Sequence, residues 1–146
     1  MIKNNTLSIV IPCYNEQHGI AMLLKRVPPE VDEVLVVDNN STDGSGDIAR
    51  EHGARVVIEP RRGYGRAYKT GLAHARGDII GTMDGDGSYC AEDIVRLAHV
   101  LIDEKLDFIS GSRFPLDDWS PMHIKNFIGN IIPTATMEVI FRSQNE

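Results

Sequence analysis

The sequence predicts an α/β fold, a mostly parallel sheet with helices on both faces. Three observations carry this. Strand-like and helix-like segments alternate from Leu7 to Ser110. Most of the strand-like segments are continuous apolar runs, as strands buried on both faces are, rather than the alternating pattern of a strand with one wet face. The polar and glycine-rich residues collect just after these runs, at the strand ends where open parallel sheets bind ligands.

The elements follow in order. Leu7 to Ile11 is a short β-branched run that Pro12 is expected to close. Gly19 to Val27 places Ile20, Leu23, Leu24 and Val27 on one helical face, with Asn15 as the expected N-cap and Pro28-Pro29 as the stop. Glu33 to Val37 is a second strand ending at Asp38. Asn39 to Gly46 is a polar loop before a short helix over Asp47 to His52, with Gly53 past its end. Arg55 to Ile58 is a third strand, and Arg66 to Arg76 a helix closed by Gly77. Ile79 to Met83 is a fourth strand. Ala91 to Glu104 is a helix burying Ile94, Leu97, Ala98, Leu101 and Ile102, and Phe108 to Ser110 is a weaker fifth strand. Arg113 to Pro121 reads as an irregular loop. Ile124, Phe127, Ile128, Ile131 and Ile132 then form a helical apolar stripe, expected to pack on the sheet, with a membrane-surface helix as the alternative.

Composition bounds the function. A chain of 146 residues is the size of one domain. Its net charge of −6 argues against a non-specific nucleic-acid binder, which needs basic surface to displace counterions. Arg61, Arg62, Arg66 and Lys69 nevertheless cluster, as a local anion site or as a solvated helix start. The two cysteines, Cys13 and Cys90, are no disulfide framework and read as reduced thiols in a cytoplasmic setting. The N-terminus has no signal-peptide pattern, and no apolar run approaches the ~20 residues of a membrane-spanning helix.

Asp84-Gly85-Asp86-Gly87-Ser88 is the most informative segment. Two carboxylates spaced by one glycine, at the tip of a buried strand, repel each other unless a cation compensates them. Carboxylate oxygens suit Mg²⁺ or Mn²⁺, which bind through one or two acids together with substrate phosphates. Gly85 and Gly87 allow a tight turn and close approach of a ligand. Asp38, at the tip of the second strand, is suited to accept from a base N–H or a ribose hydroxyl. Arg66 and Lys69, about one turn apart, are placed to reach a diphosphate. Rival motifs fail. An EF-hand loop starting at Asp84 would need glycine and glutamate where Tyr89 and Val95 stand. There is no P-loop, and Gly44-Ser45-Gly46-Asp47-Ile48-Ala49 fits a dinucleotide fingerprint in letters but follows the second strand. His18, His52, His74, His99 and His123 lack a nucleophile context.

Ile11-Pro12-Cys13-Tyr14-Asn15-Glu16, Val36-Val37-Asp38-Asn39-Asn40-Ser41-Thr42-Asp43-Gly44-Ser45, Gly63-Tyr64-Gly65, Asp84-Gly85-Asp86-Gly87-Ser88 and Ser110-Gly111-Ser112-Arg113-Phe114 together resemble family 2 glycosyltransferases of the GT-A fold, which has a Rossmann-like sheet. They are most similar to the dolichol-phosphate mannose/glucose synthase-like branch. The resemblance spans about residues 7 to 132. It implies a single glycosyltransferase domain over 1–146, with 113–146 the start of an acceptor-side region. The family's catalytic domains continue beyond the equivalent of Glu146, so the chain is expected to be a truncated piece.

The resemblance also implies a nucleotide-diphospho-sugar donor (GDP-mannose or UDP-glucose type), a Mg²⁺ or Mn²⁺ ion, and transfer with inversion to a polyprenyl or dolichyl phosphate or a glycan. Carried over by position, Pro12, Tyr14, Glu16 and Asp38 line the nucleoside pocket, and Asn40 and Asp43 join the donor side. Asp84 and Asp86 hold metal and diphosphate with Ser88 nearby, and Arg113 faces the acceptor phosphate or the diphosphate. An acceptor phosphate is already anionic and needs less help from a base than a hydroxyl does; Asp117 and Asp118 are the candidate bases for an alcohol. Asn39 departs from the pattern, since an acid is common in its place. The expected location is the cytoplasm, peripherally at the cytoplasmic face of a membrane. The alternatives are another nucleotide-binding α/β module, a nucleotidyltransferase or dinucleotide-binding domain, or an inactive donor-binding fragment.

Overall fold

The computed structural model describes residues 1–87, 89–111 and 139–142. Its elements run β1 (Leu7–Cys13), α1 (Gln17–Leu24), β2 (Glu33–Asp38), α2 (Ser45–Glu51), β3 (Arg55–Ile58), α3 (Tyr64–His74), β4 (Ile79–Thr82), α4 (Ala91–Asp103), β5 (Phe108–Ser110) and β6 (Val139–Arg142). They build one sheet in the order β3-β2-β1-β4-β6-β5. β1 pairs in parallel with β2 and β4, and β2 in parallel with β3. The α/β expectation therefore holds.

The side chains of β1 alternate between two cores. Ile9, Ile11 and Cys13 pack with Ile20 and Leu23 of α1, Ala49 of α2, and Ile94, Ala98 and Leu101 of α4. Val10 packs with Leu35, Val37 and Ile80 against Ala67 of α3. Helices thus cover both faces, and among the described residues α3 is the helix on the second of them. Truncating a core residue as enclosed as Ile94 to alanine costs on the order of 2–5 kcal/mol.

Several boundaries differ from the sequence reading. Pro12 does not close β1, which runs on to Cys13 with Pro12 opposite Val37. Residues of a parallel strand bond alternately to left and right, and Met83 N donates to Val10 O on the β4 side. The β4 ladder ends at Val10–Thr82, so the N–H that proline lacks falls where no partner strand remains.

Helix α1 starts at Gln17 behind Glu16, not behind an Asn15 cap. Asn15 has φ 54° and uses its side chain elsewhere. The same helix stops at Leu24, ahead of Pro28. Helix α2 starts at Ser45, two residues early, because Gly44 takes a left-handed φ of 86° that turns the chain into it. Helix α3 is displaced to Tyr64–His74, and Ala75, not Gly77, follows it. Helix α4 ends at Asp103, with Leu97 and Ile102 only half-buried.

β6 is the one unforeseen element. It inserts antiparallel between β4 and β5, with Ile79 opposite Arg142 and Ile109 opposite Ile140. The apolar stripe from Ile124 to Ile132, together with Ser88, Arg113, Asp117 and Asp118, lies outside the described residues.

Candidate active site

The parallel pairing brings the C-terminal ends of β1 to β4 to one edge of the sheet. A cleft of about 460 Å³ opens there, within the usual range for a small-molecule site. Pro12, Cys13, Tyr14 and Glu16 line it from the end of β1, and Asn39 from the end of β2. Arg62, Gly63, Tyr64 and Ala67 line it from the β3–α3 connection, and Asp84, Gly85 and Asp86 from the end of β4.

The loop after β1 is tied to the loop after β2. Glu16 N donates to Ser45 Oγ at 3.0 Å, Gln17 N to Asp43 Oδ2 at 3.1 Å, and Thr42 N to Asn15 Oδ1 at 2.8 Å. Asp43 also accepts from Ser45 N at 3.0 Å. Desolvation works against its charge, but the bonds from Ser45 and Gln17 outweigh it and hold the carboxyl below its ordinary pKa.

The wall opposite is made by Tyr14 and Arg62, whose guanidinium carbon stands 4.6 Å from the ring centroid. An arginine over an aromatic face is a favourable cation–π pair and presents a flat, cationic surface. Tyr14 remains 41% exposed and so open to a ligand.

Three carboxylates meet on the floor. Glu16 Oε2 is buried and has no hydrogen-bond partner, and a β-carbon at residue 85 would stand 2.3 Å from it, so a larger residue there would displace the Glu16 carboxylate. Desolvation, then the charges of Asp86, Asp84 and Asp43, push the Glu16 carboxyl up to about 7. A buried carboxylate oxygen without a donor, beside two further acids, is a group of oxygen ligands that a cation would satisfy. The residues present therefore fit a divalent cation brought with a phosphate ligand. Among the described residues no group of three or more His, Cys, Asp or Glu is arranged to hold a metal ion by itself. On the rim, Tyr64 Oη donates to Asp84 Oδ1 at 2.6 Å and stands 3.1 Å from Tyr68 Oη.

The predicted set divides. The structure brings Pro12, Tyr14, Glu16, Asp84, Gly85 and Asp86 together in the cleft. It places Asp38 elsewhere: its Oδ1 accepts from Ser41 N at 2.8 Å, and it lines a shallower depression with Ser41, Thr42 and Ser45. Asp43 holds loops together, and Asn40 occupies a left-handed turn at φ 67° outside the cleft lining. Arg66 and Lys69 are exposed on α3 and are not among the residues that line the cleft.

Sequence reasoning undervalued Asn39, Arg62 and Tyr64. Arg62 is visible only as part of a basic cluster, Tyr64 only as a letter of Gly63-Tyr64-Gly65, and Asn39 only as a departure from the acid expected there. Cys13 is buried, its thiol pushed up to about 11 mainly by desolvation, which fits an inert filler.

A three-layer α/β sheet with an acid pair at a strand tip is the architecture of the GT-A glycosyltransferases, and solved structures of that class share it. The chain belongs to glycosyl transferase family 2, whose family model matches residues 8–127. It is 40% identical over 115 residues to an uncharacterised glycosyltransferase of Mycobacterium tuberculosis, a match covering 79% of this chain and 52% of that one. It is 34% identical over 144 residues to the undecaprenyl-phosphate 4-deoxy-4-formamido-L-arabinose transferase of Edwardsiella ictaluri, covering 89% of this chain and 44% of that protein.

Among solved structures, glucosyl-3-phosphoglycerate synthase of Mycobacterium tuberculosis with Mg²⁺ and uridine diphosphate is 34% identical, with a TM-score of 0.52 over 56% of this chain and 34% of that one. A second structure of that enzyme covers 95% of this chain and 57% of that one at a TM-score of 0.69 and 24% identity, a likeness of fold. The chain spans about half the length of the curated relatives it matches.

Proposed function

We propose that this chain is the donor-binding part of a glycosyltransferase that moves a hexose, with inversion, from a nucleotide-diphospho-sugar of the GDP-mannose or UDP-glucose type to a lipid phosphate. One observation carries the reading: an aromatic–cation wall (Tyr14, Arg62) and a floor of three acids (Glu16, Asp84, Asp86), with Glu16 Oε2 buried and unpartnered, share one cleft in a family 2 chain. The nucleoside lies along the Tyr14 face, where the flat ring offers stacking area. The diphosphate lies toward Asp84 and Asp86.

Mg²⁺ or Mn²⁺, held by Asp84 and Asp86 with Ser88 in reach along the chain, would supply Lewis-acid neutralisation of the charge that builds on the departing diphosphate. Asp84 presents an oxygen oriented by Tyr64. Glu16 stands beneath the loop as a third acid, its carboxyl raised to about 7 by burial and by the acids beside it, so a cation in the cleft would favour its ionised form. Gly85 keeps that loop close enough for the carboxylates to act on one ligand. Arg113 is proposed to meet the acceptor phosphate or the diphosphate. Residues 1–146 then form one domain, with 113–146 beginning the acceptor side.

The named relative acting on undecaprenyl phosphate supports a lipid-phosphate acceptor. An acceptor of that kind is already an oxyanion, which agrees with a described cleft in which no histidine stands as a base. It would place the reaction at the cytoplasmic face of a membrane. No helix among the described residues is long and apolar enough to cross one.

The test is transfer of radiolabelled hexose from GDP-mannose or UDP-glucose, with Mn²⁺, to undecaprenyl phosphate or to 3-phosphoglycerate, followed by partition between organic and aqueous phases. Label in the organic phase supports the proposal. Label only in phosphoglycerate replaces the acceptor, and donor turnover with neither rejects the lipid-phosphate reading.

A further inference from the structure

We propose that Asn39 is a positioning residue that fixes the β3–α3 loop so that Arg62 lies over Tyr14, and that it does this in place of reading the nucleotide base itself. The proposal rests on the donor reading above for its functional meaning and on geometry alone for its structural content.

Asn39 is 6% exposed and uses both ends of its amide on the neighbouring loop. Its Nδ2 donates to Glu59 O and to Arg61 O, both at 2.9 Å, and its Oδ1 accepts from Gly63 N at 2.8 Å. The carbonyls on either side of residue 60 and the amide just after Arg62 are thus all held by one side chain. Both amide protons are used, so Asn39 has no donor left for a base edge.

The loop is braced from its other side by Glu59. Its carboxylate accepts from Arg61 N at 3.0 Å, from Arg61 Nε at 3.0 Å and from Thr70 Oγ1 at 2.7 Å. Arg61 is thereby committed to Glu59, and of the two adjacent arginines only Arg62 pairs with Tyr14. Gly63 makes the turn possible at φ 141°, outside the range of ordinary side chains.

An acid at position 39 would reverse the pattern. A carboxylate could still accept from Gly63 N but would face the Glu59 and Arg61 carbonyls as acceptor against acceptor. The loop would leave, and Arg62 with it. The amide at position 39 therefore goes with a loop held close and an arginine held over the ring. In this chain the cleft wall is built through Asn39, and nucleotide contact falls to Tyr14 and Arg62.

The experiment has a ligand-free arm and a ligand arm, on this chain. In the first, the Arg62 side-chain proton resonances are recorded for the wild type and for Tyr14→Leu, Asn39→Asp and Asn39→Ala, with dispersed amide spectra confirming that each is folded. The expected result is an upfield ring-current displacement in the wild type, lost in Tyr14→Leu and in both Asn39 variants. Retention of the displacement in a folded Asn39→Asp or Asn39→Ala overturns the proposal.

In the second arm, UDP and GDP are titrated with Mn²⁺ into the wild type, Asn39→Asp, Arg62→Ala and the double variant. Each single change is expected to weaken binding about tenfold, the size of one lost polar contact, and the double no more than either alone. A double variant whose loss is the product of the two singles also overturns the proposal, because the residues then act independently. If the wild type binds neither nucleotide, the donor reading fails, and the ring-current arm still decides the positioning claim.

Discussion

The Tyr64 hydroxyl donates a 2.6 Å hydrogen bond to Asp84 Oδ1, joining the first turn of α3 to the acid pair at the end of β4. Burial and this bond both raise the Tyr64 pKa, so the phenol stays protonated and remains a donor throughout the working range. A carboxylate with one oxygen oriented in this way presents the other in a fixed direction. Partners of this kind are worth about 10–100-fold in metal affinity or activity when lost.

Tyr64→Phe is therefore expected to weaken Mn²⁺-dependent nucleotide binding by at least about tenfold. Its melting temperature should change little, because Tyr64 is 52% exposed. Parallel calorimetry and thermal melts check this. Unchanged binding would mean that Asp84 needs no orientation.

Gly19 on α1 backs directly onto the acid loop. A β-carbon there would stand 2.6 Å from Gly85 O and 3.2 Å from Asp86 Cα. Both contacts are backbone and cannot swing away. Gly19→Ala is expected to destabilise the fold by about 1–3 kcal/mol, as overpacking does, and to lower nucleotide affinity beyond what partial unfolding explains. Urea titration paired with binding at a denaturant-free midpoint of saturation checks both effects.

Glu59 sets an acid limit. Hydrogen bonds from the Arg61 side chain, then from Thr70 and the Arg61 backbone, lower its carboxyl from 4.5 to about 2. Because the folded value is the lower one, the stabilisation is present above about pH 4.5 and is lost as the pH falls toward 2. Denaturant midpoints across that window should fall for the wild type and fall less steeply for Glu59→Gln, which should start lower at pH 7. Parallel profiles for the two would contradict this.

Much of the sheet was legible in the sequence because β1, β2 and β4 are short apolar runs with largely buried side chains, and the half-exposed edge strand β3 still reads as a β-branched run. Helix ends were less so. The start of α2 depends on the left-handed turn at Gly44, and that of α3 on a loop held from β2 by Asn39, neither of which periodicity registers. β6 was invisible because its pairing joins Val139–Arg142 to partners far away along the chain, the nearest pair being Ser110 with Val139, so no local turn signal announces it.

The site divides along the same line. Asp84, Asp86, Glu16 and Tyr14 sit in compact motifs that carry their chemistry in residue type and spacing. Arg62 and Asn39 acquire theirs only from the tertiary contact between two loops. Arg66 and Lys69 carry charge that residue type shows, but their place relative to the cleft depends on how α3 sits on the sheet.

The central claim is that Asp84 and Asp86 hold a cation which in turn holds a nucleotide diphosphate. The most direct measurement is calorimetric titration of GDP-mannose and UDP-glucose into this chain with Mn²⁺, repeated with EDTA and repeated with Asp86→Ala. Binding of one donor is expected, lost with EDTA and in the variant. Binding that is indifferent to both, in protein shown by circular dichroism to be folded, would contradict it.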